Sequence, residues 1–501
     1  MFTGRFGAFF FAALFLFCIL DSYLIADPDL FARVATGRLV EILGYMPLHD
    51  PFSFTPKNPQ WVDHEWLSGV IFYKLASLGD GALFMFGYLI AVWTLLFIYR
   101  AYRVNGGDER FPLWIFLIFV IGTSYLWQSV VRAQVFTYFF LSYLIFSMLV
   151  YRRQAFRRYL ALMPFITICW VNMHGGVVLG LLFLAIFVGS LVCERIRNHA
   201  SPSWLFPFAI LLLCLLATFV NPYGLSYWSF ITEAILMKRP NITEWQSVSL
   251  NDLGSLYVHL FLIIGILSAL IYRDIIFYEA YVFLILGAYF GYKHARFAAL
   301  PMIVVFTYMP VGIDWFARLV CNVLAGWYIR LRRSAMIGIV IFTVVILVHF
   351  FWTLITLSSF RLDYTPYPVA SLEWLRANRE GGRVLVGFNE GSYALWRLFP
   401  KFLVSLDGRY EEVYPEYTVE LVMSALDPNN PRQKKSIKEI NPDYILTRNS
   451  KILGGKKEIF KGRWCQIYRD DSYLIFAKER CLKEAADFHM SSVPFIWKPN
   501  F

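Results

Sequence analysis

Residues 27–66 read DPDLFARVATGRLVEILGYMPLHDPFSFTPKNPQWVDHEW. They follow an apolar run from Phe6 to Leu20 and precede another that starts near residue 82. The stretch leaves the first run with two carboxylates in three residues, Asp27 and Asp29. It ends on a second charged group, Asp63, His64 and Glu65, and aromatic residues accompany both ends. One charge at a bilayer face costs little. Carboxylates gathered beside apolar spans mark a place where something polar binds. The stretch therefore reads as an outer loop between spans, and the fold as a polytopic α-helical membrane protein.

Composition agrees. Of 501 residues, 58% are hydrophobic, 19% aromatic and 16% charged, where soluble domains carry roughly 25% charged residues. Mean hydropathy is +0.53. The aromatic content suits interfacial belts and also stacking on sugar rings. Five of the seven cysteines, Cys18, Cys169, Cys193, Cys214 and Cys321, lie in or beside apolar runs, where thiols pack. Cys465 and Cys481 lie in the polar tail. A disulfide between them is one reading. If 463–468 and 473–478 form a hairpin, however, Cys481 falls beyond the position opposite Cys465. No zinc-site spacing occurs.

Spans need about 20 apolar residues. Segments 6–25, 82–100, 112–128, 133–150, 159–173, 175–193, 204–220, 256–272, 276–290, 297–313 and 335–356 are candidates, about eleven in all. Asp21 and Ser22 follow the first run without a cleavage site, so an uncleaved first span is expected. Residues 67–79 are too short to cross and suit an interfacial helix, and 314–334 suit a basic amphipathic one. With the N-terminus inside, RRQAFRR (152–158) and RLRR (330–333) both fall on the inner face. An odd number of spans then puts the tail outside, with the loops 26–80 and 222–255. Asn241-Ile-Thr fits a glycosylation acceptor, a triplet common by chance.

The expected organisation is a membrane domain, 1–358, and a small α/β domain, 359–501, on the outer face. In the tail, 369–378, GSYALWRL (391–398) and 433–440 read as helices, and 383–388, 402–406, 443–447, 463–468 and 472–478 as strands. No GxxxxGK[ST] loop exists, which disfavours an ATP-driven transporter. Gly387, Gly391 and Gly408 are too scattered for a dinucleotide fingerprint.

The residues that could carry chemistry sit on the outer side of this topology. A carboxylate such as Asp27, Asp29, Asp63 or Glu65 takes a proton from a hydroxyl or amine. Carboxylate pairs also suit a divalent cation, Mg or Mn, to which no residue is assigned. Arg132 and Gln134 open one span, Asn172 and His174 lie in the hairpin WVNMHGG, Glu244 and Trp245 in the second loop, and His294 and Arg296 between two late spans. A lone His or Arg there is more often a structural anchor. Several basic groups at one depth make a seat for phosphate.

The landmarks DPD (27–29), ATG (35–37), HDPFSFT (49–55), WVDHEWLSGVIFY (61–73), RAQVFTYF (132–139), WVNMHGG (170–176), NPYG (221–224), ITEW (242–245), FNEGSYALWRL (388–398) and DGRY (407–410) span nearly the whole chain in a specific order. With them the chain resembles bacterial members of the GT-C superfamily, polytopic glycosyltransferases that use polyprenyl-phosphate-linked sugars. The resemblance implies a catalytic base just after the first span, which transfers to Asp27 or Asp29, with Asp29 preferred. It implies hexosyl or pentosyl transfer from a lipid-phosphate donor to a glycan, lipid or protein acceptor. It also implies a bacterial inner-membrane location, an N-terminus in the cytoplasm and a periplasmic C-terminal domain. The bilayer is the expected surrounding, a membrane complex partner fits, and no nucleic acid is expected. After Asp29-Leu30, similar proteins commonly carry paired aromatics and a His, where this chain has Phe31, Ala32 and Arg33. That departure keeps two alternatives in view: a non-catalytic subunit that retains the fold, and a lipid-linked glycan ligase or transporter. The tail motifs FNEG and DGRY either guide the acceptor or are turns that tie the tail together.

Overall fold

The structure, a computed structural model, describes residues 7–21, 25–108, 113–123, 131–197, 201–237, 239, 242–248, 253–449 and 464–478. Asn241 and Cys481 lie outside them. The chain divides into two compact units. A helical unit comprises 1–24, 81–221 and 236–361, and a mixed unit comprises 25–80, 222–235 and 362–501.

In the helical unit the candidate spans lie largely on helices, but 159–173 is divided between Arg158–Ala161 and Met163–Met173, and 297–313 between Ala299–Tyr308 and Pro310–Ile355. Asp80–Val104, Gln134–Gln154 and Val177–Ile196 are, among the described residues, long and apolar enough to cross a membrane. A fourth such element is bent by 90° between Ala295–Tyr308 and Pro310–Val320. Shorter apolar helices, such as Met163–Met173 and Leu205–Ala217, lie among them. The bend has a chemical cause. Pro310 cannot donate to the helical ladder, and Asn105 Nδ2 donates to the carbonyls of Thr307 and Tyr308 at the break, at 3.0 and 3.1 Å. Beyond it, the expected amphipathic segment and last span are one helix, Pro310–Ile355. No further proline interrupts that stretch, so every later residue can donate to the ladder.

Three helices of this unit run between the same two ends. Gln134–Gln154 is 21 residues long, about 30 Å at the helical rise. At its far end Arg152 pairs with Glu194 at the end of Val177–Ile196 and with Glu279 at the start of Tyr278–Lys293. Its near end, with those of the other two helices, carries the polar group described below.

The mixed unit corrects the opening expectation. Residues 28–43 are not loop but helix, Pro28–Leu43. Asp27 caps its N-terminus, Pro28 opens its first turn, and Gly44 closes it at φ +74°, donating to Val40 O at 2.8 Å. The helix crosses Trp66–Ser77 at glycines: a Cβ on Gly37 would stand 2.1 Å from Gly69 O. Phe388–Leu398 packs on the same helix, with the Phe31 and Tyr393 rings 4.8 Å apart.

Five strands, β1 (Gly382–Leu385), β2 (Phe402–Val404), β3 (Tyr444–Arg448), β4 (Trp464–Arg469) and β5 (Tyr473–Lys478), form one sheet in the order β2-β1-β3-β5-β4. β1 lies parallel to β2 and β3, while β5 is antiparallel to β3 and β4. Residues 52–54 extend its β2 edge, with Val404 N donating to Phe52 O and Phe54 N to Val404 O. Cys465 on β4 is disulfide-bonded.

Candidate functional site

The first acid pair divides its labour. Asp27 Oδ1 accepts the backbone N–H of Asp29 at 2.9 Å, so Asp27 works as the helix cap. Asp29 sits in the first helical turn, against the DGRY turn: a Cβ on Gly408 would lie 2.9 Å from Asp29 Oδ1. Gly408 N donates to Ser392 Oγ, which brings DGRY and FNEG onto the same helix end. Tyr367 donates to Ala26 O at 2.6 Å. Burial, then the carboxylates of Asp27, Asp29 and Glu390, push its hydroxyl pKa up.

Asp63, His64 and Glu65 gather around a residue that sequence reasoning left out of the site, Arg33. Its Nη1 meets Asp63 Oδ1 at 2.5 Å, its Nε meets Glu65 Oε2 at 2.8 Å, and its Nη2 meets Glu412 Oε1 at 2.8 Å. His64 Nδ1 lies 2.9 Å from Glu412 Oε1, and Tyr223 Oη donates to Asp63 O and accepts from Asp63 N. Burial pushes Asp63 up to about 6, against the pull of Arg33. Its Oδ2 is buried with no hydrogen-bond partner, where a proton would sit. Burial opposes a charge on His64, but its bond to Glu412 outweighs that and raises the imidazole. Glu412 is held low despite burial, by Arg33 and then His64. Arg33 and His64 thus answer these carboxylates. Among the described residues no group of three His, Cys, Asp or Glu side chains is placed to hold a metal.

A second buried network joins HDPFSFT to DGRY. Arg409, fully buried, reaches Asp50 Oδ1 at 2.7 Å and grips Asp407 through Nε at 2.9 Å and Nη2 at 2.8 Å. Its guanidinium also lies 4.9 Å from the ring centres of both Phe52 and Trp61. Tyr414 donates to Asp407 Oδ2 at 2.5 Å. Such a set is a clamp, and it accounts for Asp407 and Arg409 as structural members of DGRY.

The helical unit brings together most of the remaining candidates. Arg132 meets Glu244 as a fork, Nη1 to Oε2 at 2.5 Å and Nη2 to Oε1 at 3.0 Å. Arg296 Nη1 lies 3.5 Å from Glu244 Oε1. Gln134 and Tyr138 hold the Arg296 carbonyl at 3.3 and 2.7 Å. The Trp245 ring lies 4.7 Å from the Arg296 guanidinium and 4.2 Å from that of Arg239, a member the sequence reading missed. His294 Nδ1 is 2.7 Å from Trp245 O. His174 Nδ1 accepts from Gly176 N at 2.9 Å and so carries no proton; Thr137 Oγ1 stands 2.8 Å away. Burial raises Glu244, but Arg296 and Arg132 outweigh it and hold the carboxyl below its usual range. Asn172 is turned toward backbone, donating to Ile168 O and Val220 O at 2.8 Å, a tether between helix ends.

No protein-family model matches the chain, and no curated protein matches its sequence. Solved structures do match. The apo oligosaccharyltransferase of Archaeoglobus fulgidus superposes with a TM-score of 0.56 at 11% identity, over 89% of this chain and 69% of that one. The arabinofuranosyltransferase AftD from Mycobacteria gives 0.48 at 13% identity, over 94% of this chain but 40% of that one. The archaeal protein in complex with zinc and sulfate gives 0.41 at 12% identity, over 87% and 68%. At such identities the first match speaks for fold alone. The chain shares its fold with that archaeal oligosaccharyltransferase.

Proposed function

We propose that this protein is a membrane glycosyltransferase that moves a sugar from a polyprenyl-phosphate carrier to a glycan, lipid or protein acceptor on the periplasmic face of a bacterial inner membrane. The observation that carries this reading is the fold shared with an oligosaccharyltransferase over 89% of the chain. The chemistry follows from the residues. The acceptor hydroxyl attacks the anomeric carbon, and its proton passes to Asp29, which Asp27 holds in the first helical turn. The bond from the anomeric carbon to the phosphate oxygen breaks, and the carrier phosphate leaves with the electron pair. Arg132 and Arg296 take that phosphate. Gln134, His174, Trp245 and His294 support the arginines, while Asp63, His64 and Glu65 shape the acceptor side. If a divalent cation takes part, it would steady the leaving phosphate.

The orientation rests on the ends of the helical unit. Arg152 and Arg153 lie over Phe277, at 4.2 and 4.5 Å, and Arg157 lies over Phe206 at 5.2 Å. Arginines seated on aromatics suit the headgroup level of the cytoplasmic leaflet. The Arg132 end is then periplasmic.

One observation favours a second reading, a non-catalytic subunit: Arg33 and His64 neutralise Asp63, Glu65 and Glu412 within the protein. The Asp29→Asn variant separates the two. Loss of transfer with normal expression supports catalysis. An unaltered glycan profile in cells carrying only the variant would leave the scaffold.

A further inference from the structure

Glu244 occupies the place of an anion between two guanidinia. Both its oxygens are taken by the Arg132 fork, and Oε1 also faces the longer 3.5 Å approach of Arg296. The carboxylate still leaves a donor unmet: Arg296 Nε–H is buried and has no hydrogen-bond partner. A phosphate monoester offers three oxygens in a tetrahedron and close to twice the charge. It therefore has an acceptor for every donor that Glu244 satisfies and one more for Nε.

Arg132 stands at the foot of the helix Gln134–Gln154, and the Arg296 backbone is gripped by Gln134 and Tyr138. Glu244 sits in a three-residue turn, Thr243–Trp245, as Arg296 does in Ala295–Phe297. The backbone on both sides is pinned, Trp245 O facing His294 Nδ1 and Gln246 O accepting from Ala295 N, so the part that gives way is the rotatable glutamate side chain.

We propose that Glu244 is an internal stand-in for a phosphate, holding Arg132 and Arg296 in binding geometry while the seat is empty and giving way to a phosphate monoester. This rests on reading the two arginines as the phosphate seat of the proposed transferase. It adds a competitor for that seat, built into the chain, with a definite sign. Removing the carboxylate charge strengthens phosphate binding, whereas removing an ordinary structural ion pair loosens the arginines and weakens it. The depressed pKa of Glu244 fits this role, because the stand-in stays charged at neutral pH.

The test is calorimetric titration of the full chain in nanodiscs, with inorganic phosphate in one arm and a short-chain prenyl phosphate in the other. Glu244→Gln keeps the shape and removes the charge. Its affinity in both arms is expected to rise roughly tenfold, the scale of one charge-assisted pair. Unchanged or weaker binding in the variant overturns the proposal. Should Glu244→Gln fail to fold, Glu244→Asp, one methylene shorter, is expected to bind more tightly than the wild type, and equal or weaker binding overturns the proposal there too. The ratio of the two arms in the wild type identifies the source: a tighter prenyl phosphate assigns the seat to the lipid carrier, and equal affinities to free phosphate. Because the readout is binding, the two proposals fail separately. A chain that transfers sugar but whose variant gains no affinity loses only the stand-in. One that transfers nothing yet gains affinity loses only the transferase reading.

Discussion

Gly37 and Gly69 meet backbone against backbone where Pro28–Leu43 crosses Trp66–Ser77, and a Cβ on Gly69 would stand 2.6 Å from Arg33 O. The crossing thus sets Arg33, one turn before Gly37, against the charged residues that lead into the second helix. Gly37→Ala pits two effects against each other. Alanine favours the helix by about 1 kcal/mol, but the new methyl falls on a carbonyl that only a backbone shift can move, at about 1–3 kcal/mol or more. The steric term wins, and the melting temperature falls. A variant as stable as the parent would show that the helices are not held this closely.

The Arg33 cluster gives stability a pH dependence. Asp63 rises from 3.8 to about 6, so its contribution is present below 3.8 and is lost as pH climbs to about 6. His64 rises above 6.5, so its contribution is full below 6.5 and is lost as pH climbs through the folded value. Glu412 is lowered from 4.5, so its contribution is present above 4.5 and disappears as pH falls through its folded value. Thermal unfolding is therefore expected to show stability declining as pH climbs from 6.5 through the folded value of His64, and His64→Gln to flatten that decline. An identical decline in the variant would take His64 out of the account.

The strands of the tail were legible because alternation and turn residues mark them locally: all five fall within three residues of their expected bounds. The helix Pro28–Leu43 carried its signals too, Asp-Pro at the start and Gly at the end. Its carboxylates drew attention as chemistry, although one of them is the cap. Helix Glu416–Leu426 was missed, since nothing but its own short periodicity announces it. The hub role of Arg33 was out of reach: its partner Glu412 lies 379 residues away, and pattern reading has no access to such a distance. Among the outer polar residues, the helix ends brought Arg132, Glu244 and Arg296 together, because hydropathy fixes where spans stop. Arg239 sat in the same loop with no pattern to single it out.

Arg409 offers a stability test remote from any chemistry. Replacing it with Met leaves Asp50 and Asp407 buried beside each other without their cation. Breaking a buried pair from one side costs about 3–5 kcal/mol. Burial raises Asp50, but Arg409 outweighs it and holds the carboxyl low, so removing the guanidinium also drives Asp50 toward protonation. Denaturant titration should place Arg409→Met well below the parent, with Arg409→Lys between them because it keeps the charge without the fork. Equal midpoints for Met and Lys would mean that the charge is not what holds the network.

The acid pair separates a helix cap from a base. Asn caps as well as Asp, so Asp27→Asn should leave both stability and transfer close to the parent, while Asp27→Ala should cost about 0.5–2 kcal/mol of stability through the lost bond to Asp29 N. Asp29→Asn removes a charge from the first helical turn, worth about 0.3–1 kcal/mol, yet in the proposed reaction it also removes the proton acceptor, a loss of roughly a hundredfold to ten-thousandfold in rate. Thermal unfolding and transfer from a polyprenyl-phosphate sugar, measured on the same preparations, should therefore rank the variants in opposite orders: Asp27→Ala least stable but active, Asp29→Asn stable but inactive. If activity merely follows stability across the three, neither residue is the base, and Asp29 is one more helix-end carboxylate.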